Sequence, residues 1–406
     1  MVLIVQKYGG TSVADLARIK EVARRVKREV DAGNEVAVVV SAMAGATDGL
    51  VAWARATCEE DAGSEYDVVV SSGEQVTAGL LALALQDLGV AARSWLGWQV
   101  PVRTDGVHGK ARIAAIEIGA IARRLKAGEI AVVAGFQGID GQGRITTLGR
   151  GGSDTSAVAL AAALGADRCE IFTDVDGVYT SDPRIVAKAR KLSRITYEEM
   201  LELASLGAKV LQTRSVAMAM NHRVRLLVRS SFNEAAGTLV VDEDEIVEKE
   251  VVSGIAYDHE AKITLRKVAD RPGVAAAIFG PLAEHAINVD MIVQNISEDA
   301  VAADLTFTVA QADLDRAVAV LEECRPLLGF TALTPDSNVV KISVIGVGMR
   351  SHPGVAQTMF RTLADKGINI QVISTSEIKV SVLIAAEYTE LALRALHTAY
   401  GLDRAG

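Results

Sequence analysis

Short apolar runs and longer amphipathic stretches alternate through residues 1–235. The runs at 2–5, 35–40, 66–70, 131–135, 170–173 and 223–228 are rich in valine and isoleucine and read as buried strands. Segments 15–30, 74–88, 112–126, 153–164 and 197–205 read as helices. Alternation on this scale predicts an α/β fold, a largely parallel sheet with helices on both faces. Ligands of such sheets sit beyond the carboxyl ends of the strands.

The pattern breaks at 242–250, where Asp-Glu-Asp-Glu-Ile-Val-Glu-Lys-Glu reads as a solvated linker. Beyond it the chain repeats itself. Asp270-Arg-Pro-Gly-Val-Ala resembles Ser351-His-Pro-Gly-Val-Ala, and Asn288-Val-Asp-Met-Ile resembles Asn369-Ile-Gln-Val-Ile, each pair 81 residues apart. Each repeat runs strand, helix, strand, strand, helix. The first has a closing strand near 330–333. The second ends in a helix at 389–400 with six residues left, so its last strand must come from elsewhere, and 251–257 is the spare one. The first repeat is thus expected to be inserted into the second.

Composition narrows the picture. A chain of 406 residues has room for two or three domains. No apolar run reaches the length of a membrane span, and no secretory leader is evident at the start. Cys58, Cys169 and Cys324 are too scattered for a disulfide framework or a metal site. A cytoplasmic protein is expected. The net charge of −9 argues against a nucleic-acid partner.

Two glycine-rich loops carry the candidate chemistry. Lys7-Tyr-Gly-Gly-Thr-Ser follows the first strand, and Leu148-Gly-Arg-Gly-Gly-Ser-Asp154 precedes a helix. Glycine lets a backbone approach an anion, and a helix N-terminus offers N–H groups and a positive dipole end. Lys7 and Arg150 add mobile charge. Two such cradles suggest a polyphosphate beside a second anion. Ser153 or Asp154 can equally cap the following helix, and Glu74 can equally face a helix dipole. Alone, Lys209 is an ordinary helix lysine. His108 and His222 lie outside the motifs and read as surface or packing residues.

Together with Val39-Val-Ser-Ala-Met43, Ser72-Gly-Glu74, Gly135-Phe-Gln-Gly138, Phe172–Arg184 and Gly207-Ala-Lys-Val-Leu211, these loops resemble the aspartate kinases of the amino-acid kinase superfamily, over essentially the whole chain. The resemblance implies a three-layer αβα kinase domain at 1–235, a linker and donated strand at 236–262, and two ferredoxin-like (βαββαβ) ACT domains at 263–337 (inserted) and 338–406. It implies phosphoryl transfer from ATP to the side-chain carboxylate of L-aspartate, the first step toward lysine, threonine and methionine. Lys7, Asp154 and Lys209 would be catalytic. Ser41, Thr47, Glu74, Arg150 and Ser153 would bind aspartate. Lys7, Gly9, Gly10, Thr173, Asp174, Tyr179, Asp182, Arg184 and Lys209 would bind ATP. Asp270, Gln294 and Asn369 would bind threonine or lysine as effectors. No protein metal cage is expected, Mg²⁺ arriving with ATP. A homodimer through the ACT domains is expected. The alternatives are a silent ACT-type amino-acid sensor, or an acetylglutamate or glutamate 5-kinase. No dinucleotide-binding segment follows, so a fusion with homoserine dehydrogenase is not expected.

Overall fold

The computed structural model describes residues 2–58, 63–206, 210–246, 251–296 and 302–404. It divides into two compact units, Met1–Val178 with Lys191–Glu248, and Tyr179–Arg190 with Lys249–Gly406.

The first unit opens with β1 (Leu3–Tyr8), α1 (Leu16–Asp31) and β2 (Glu35–Val40). The β1 and β2 strands are buried along nearly their whole length, which is why they read as continuous apolar runs. Asp15 starts α1 by accepting a hydrogen bond from the Arg18 N–H at 2.8 Å. Ile19, Val22, Ala23 and Val26 recur at helical spacing and form its buried face. Next come α2 (Ala46–Thr57), α3 (Ser64–Val70), α4 (Ser72–Asp87), β3 (Ala92–Trp95), β4 (Val102–Thr104) and β5 (Ile113–Ile116). The chain continues with α5 (Gly119–Lys126), β6 (Ile130–Ala134), β7 (Gln137–Ile139), β8 (Ile145–Thr147), α6 (Gly152–Leu164) and β9 (Arg168–Thr173). After the excursion into the second unit it adds β10 (Arg194–Thr196), α7 (Tyr197–Ser205), α8 (Thr213–His222), β11 (Leu226–Ser230) and β12 (Thr238–Val241).

Eight of these strands form one sheet in the order β10-β12-β11-β9-β1-β2-β6-β3. All pairs are parallel except β11 with β12. The chain order reverses at β1, which lies between β9 and β2, so the end of β1 is a switch point of the kind where such sheets bind ligands. A smaller sheet, β5-β4-β7-β8, stands beside it.

Three sequence readings change. Residues 66–70 form the helix α3, not a strand. A short valine run does not distinguish the two, and here Asp67 must also be buried among hydrogen-bond donors. The segment 112–126 is not one helix. Its first half is the strand β5, paired to β4, and the helix begins only at Gly119. The run at 223–228 becomes a strand only from Leu226, because Arg223 closes α8 in a left-handed conformation (φ 52°). The stretch Ser64–Asp87 has the length and apolar character of a membrane-crossing helix. Half of it is buried inside the protein, with Asp67 and Glu74 in the interior, so it is a core element of this unit.

The second unit contains β13 (Gly254–Ala269), α9 (Val274–Glu284), β14 (Val289–Ile296), β15 (Ala302–Ala310), α10 (Leu314–Glu323), α11 (Arg325–Leu328) and β16 (Ala332–Ile345). It ends with α12 (Val355–Asp365), β17 (Val372–Thr375), β18 (Lys379–Ala385) and α13 (Thr389–Ala399). Its sheet runs β14-β15-β13-β16-β18-β17. The two long strands serve both repeats. Lys262–Arg266 of β13 faces the first part of β16, and Gly254–Glu260 faces Val339–Ile345. Of residues 236–262, read as a linker with a donated strand, Thr238–Val241 form β12 of the first unit and the residues from Gly254 on form the first half of β13.

Where the long strands cross between repeats, Lys341 is buried and bonds to Glu260 and Asp290. Burial opposes its charge, yet the two carboxylates outweigh burial and raise its pKa above the ordinary lysine value. Removing one member of such a group leaves an uncompensated buried charge. Lys341→Ala should cost about 3–5 kcal/mol in the unfolding of this unit, read by urea denaturation. A loss below about 1 kcal/mol would show that the cluster holds nothing.

Candidate active site

The site is built at the carboxyl ends of the central strands. Lys7 is the second-last residue of β1 and 9% exposed. A buried ammonium needs an anion, and its Nζ lies 2.6 Å from Asp154 Oδ1. Asp154 is the third residue of α6, whose later turns are alanine, valine and leucine and sit in the core. The same helix is thus anchored by apolar packing and aims its polar first turn at β1.

The two glycine loops make the close approach possible. A Cβ on Gly9 would stand 3.2 Å from Lys7 Nζ. Gly151 has φ 72°, and a Cβ there would meet Gln212 Cγ at 2.1 Å. Gly151 is also the N-cap of α6, and no side chain caps the helix. Ser153 and Asp154 are therefore not caps. Their side chains face the cavity instead, Asp154 through its pair with Lys7.

Glu74 comes from α4 and is 4% exposed. Its Oε1 accepts from the Ala42 N–H at 3.0 Å, and its Oε2 is buried with no hydrogen-bond partner. Desolvation pushes its pKa up to about 7, against the pull of the Ala42 N–H. An orphaned buried carboxylate oxygen fits a cationic ligand group.

A cavity of about 380 Å³ gathers these side chains. Lys7, Ser41, Thr47, Glu74, Arg150, Ser153 and Asp154 all line it, with Gly10. Arg150 is exposed at its rim, and among the described residues it has no ion-pair partner. The site therefore offers two cations and a helix N-terminus on one side and a carboxylate that favours a proton or ammonium on the other. Such a set suits a zwitterion with an extra anionic group.

Other expected residues fall elsewhere. Thr173 ends β9, and its Oγ1 donates to Asp174 Oδ1 at 3.0 Å, both in the first unit. Tyr179, Asp182 and Arg184 belong to the second unit. There Asp182 Oδ2 lies 2.7 Å from Arg184 Nη2, and this guanidinium holds the Asp182 carboxyl below the usual carboxylate range. Lys209 lies outside the described residues. Phe136 also lines the cavity, with φ 68°, a left-handed conformation that costs a phenylalanine about 1–2 kcal/mol. The sequence reading missed it, although glycines on both sides of the Gly-Phe-Gln-Gly motif were a signal of an unusual backbone. Among the described residues no three His, Cys, Asp or Glu side chains converge as a metal cage would need. The residues fit a cation only as one held chiefly by phosphate oxygens and water.

In the second unit Asp270 and Gln294 line a cavity of about 390 Å³, beside the Arg271–Ala275 turn that starts α9. Asn369 is exposed in the turn before β17 and does not line it. In the repeat register Ser351 and Thr375 stand where the first repeat has Asp270 and Gln294, so the acid is present once.

The raised Glu74 pKa makes a stability prediction for the unliganded protein. Below pH 4.5 the carboxyl is neutral folded or unfolded, and contributes no penalty. Between 4.5 and about 7 the unfolded chain ionises first, so stability falls as pH rises. Above 7 the loss is about 3 kcal/mol. Glu74→Gln should regain most of that at pH 8 and little at pH 4.5 in urea titrations. An equal effect at both pH values would show that charge burial is not the cause.

Comparison with known proteins fits this geometry. Residues 2–230 match the family model of the amino acid kinase family, and residues 263–326 and 342–400 match ACT domains. The aspartokinase of Pseudomonas aeruginosa is 55% identical over 406 residues, covering 99% of this chain and 98% of its own. Escherichia coli aspartokinase III, solved with aspartate and ADP in its R-state, superposes with TM-score 0.79 at 28% identity, over 98% of this chain and 99% of its own. The same enzyme with lysine and aspartate, in its T-state, gives TM-score 0.78 at 28% identity, over 98% and 99%. The chain belongs to the amino acid kinase family and, within it, to the aspartokinases.

Proposed function

We propose that the protein transfers the γ-phosphoryl group of ATP to the side-chain carboxylate of L-aspartate. The observation that carries this reading is the single cavity in which Lys7, Asp154, Glu74 and Arg150 meet. The relative solved with aspartate and ADP supports it.

The chemistry asks little of acids and bases. The aspartate carboxylate is already ionised at neutral pH and attacks phosphorus directly. A carboxylate oxygen–phosphorus bond forms, the bond to the bridging oxygen breaks, and ADP leaves with the electron pair. Positioning and charge neutralisation do the work. Lys7 meets the transferring phosphoryl group, and Asp154 holds the ammonium in place. Ser153 and the uncapped start of α6 add donors. Arg150 forks onto a substrate carboxylate, and Glu74 receives the α-ammonium, with Ser41 and Thr47 beside them. Mg²⁺ accompanies the nucleotide and would neutralise phosphate charge. Gly9, Gly10, Thr173 and Asp174 of the first unit are the residues we assign to ATP, with Lys209 by the same resemblance. A silent amino-acid sensor would need no such set, and would bind Mg-ATP without turning over aspartate.

We assign the Asp270–Gln294 cavity to an amino-acid effector, lysine or threonine, and keep Asn369, the second repeat's match to Asn288, as an effector contact outside that cavity. The T-state relative with lysine supports the class of ligand. Such an effector acts only through differential affinity for an inactive arrangement. The same reading takes the protein as a cytoplasmic homodimer paired through its ACT repeats, at the head of lysine, threonine and methionine synthesis.

Lys7→Ala should lower kcat by at least about a hundredfold, the scale of losing one transition-state donor. Arg150→Ala should raise the aspartate KM strongly and leave the ATP KM near its original value. A coupled ADP-release assay reads both, and near-normal turnover of Lys7→Ala would remove the phosphate assignment. Asp270→Ala should weaken inhibition by lysine or threonine with uninhibited kcat intact. Wild-type enzyme indifferent to both amino acids, alone or together, would overturn the effector assignment.

A further inference from the structure

Asp67 belongs to none of the motifs, yet it is fully buried and heavily hydrogen-bonded. Its oxygens accept from the Thr147 N–H at 2.9 Å, from Thr147 Oγ1 at 2.5 Å, and from the Gly109 N–H at 3.1 Å. The His108 Nδ1 lies 2.8 Å from Oδ2. A carboxylate can only accept, so this ring nitrogen carries the proton. Among the described residues no lysine or arginine pairs with Asp67. Its charge rests on these hydrogen bonds and on His108.

The position of these bonds matters more than their number. Asp67 lies on α3, and seven residues on, across the joint at Ser71, stands Glu74. Thr147 ends β8, and three residues on stands Arg150. The carboxylate therefore ties together the two segments that carry the opposite poles of the cavity. Neighbouring bonds repeat the tie. Gln137, paired with Thr147 in the small sheet, donates from Nε2 to the Ser71 carbonyl at 3.0 Å. Arg214 of α8 donates to the Leu148 carbonyl at 2.6 Å and to the Ala111 carbonyl at 2.9 Å. The Ala111 N–H in turn donates to the Thr147 carbonyl at 2.9 Å.

We propose that Asp67, completed by His108, is a positioning residue that fixes the span between Glu74 and Arg150, and so selects an amino-acid substrate by the distance between its α-ammonium and its side-chain carboxylate, the one Arg150 is taken to hold. The inference rests on the reading of Glu74 and Arg150 as substrate contacts. One buried charged group with donors from two loops is stiffer than a set of neutral bonds. A cavity whose poles are held at one separation discriminates between acids that differ by a methylene.

His108 gives the cleanest test, because its ring is partly exposed and its loss should not unfold the chain. His108→Ala should raise the aspartate KM about tenfold, with kcat and the ATP KM within about twofold of wild type. His108→Asn, whose amide can donate from the place of Nδ1, should recover most of the loss. Thr147→Val should behave like His108→Ala, and Thr147→Ser should restore. The ratio of kcat/KM for aspartate over glutamate should fall in both damaged variants and return in both conservative ones. Lower melting temperatures with aspartate KM and selectivity unchanged in His108→Ala and Thr147→Val would overturn the proposal and leave Asp67 a fold-holding group. Arg150→Ala separates the two layers. If it leaves the aspartate KM unchanged, the substrate reading itself falls. If it raises that KM and the His108 and Thr147 variants do not, positioning by Asp67 alone falls.

Discussion

A lysine at the end of a central buried strand is unstable there unless an anion meets it, and the first unit is arranged around that requirement. Asp154 supplies the anion from α6, 2.6 Å away. For the carboxylate to arrive, α6 must point its first turn at β1, and it does so because the rest of the helix is apolar and buried. The loop before it must turn tightly, so a glycine in a left-handed conformation stands at 151. The strand must end without crowding the ammonium, so glycine stands at 9. Fold and charge placement are one constraint here, because the pair also marks where chain order reverses in the sheet.

The opposite pole follows a different logic. Glu74 accepts from the Ala42 N–H with one oxygen and leaves the other bare, and burial raises its pKa to about 7. The protein thus keeps an unfavourable charge in the cavity at some cost in stability, and the bare oxygen suits a cationic group. Lys7 is matched before any ligand arrives, and Glu74 is not.

Much of this was legible in the sequence because it is written locally. The glycine loops, Ser72-Gly-Glu and Leu-Gly-Arg-Gly-Gly-Ser-Asp name Lys7, Glu74, Arg150, Ser153 and Asp154 of the cavity, though not Asp48, and the 81-residue repeat names the second unit. What stayed hidden depends on partners far along the chain. Asp67 sits in a valine run that reads as a strand, and its value comes from His108, Gly109 and Thr147, some 40 and 80 residues on. Asn369 was matched by position in the repeat, but the cavity is built by Asp270 and Gln294 of the first repeat. The donated strand was read over 251–257, but nothing in that short run shows that it continues to Ala269 and serves both repeats as one strand. That Tyr179–Arg190 packs with the second unit was not legible either, since the polar turn residues of Tyr179–Arg184 carry no sign of what they pack against.

That segment has a consequence for how the chain can be divided. It leaves the first unit after Val178, and its Val186 joins the core of the second repeat. The Ile255 N–H donates to the Thr180 carbonyl at 2.8 Å, Thr180 Oγ1 lies 2.9 Å from His397 Nε2, and Arg394 donates to the Ile185 carbonyl at 2.9 Å. The boundary between the units is therefore not a point in the sequence. A gene cut after the last strand of the first unit would leave these twelve residues looped out with an apolar valine and several backbone groups unmatched. Evolution cannot shed the ACT repeats as a cassette without also rebuilding a stretch inside the first unit's own coding region.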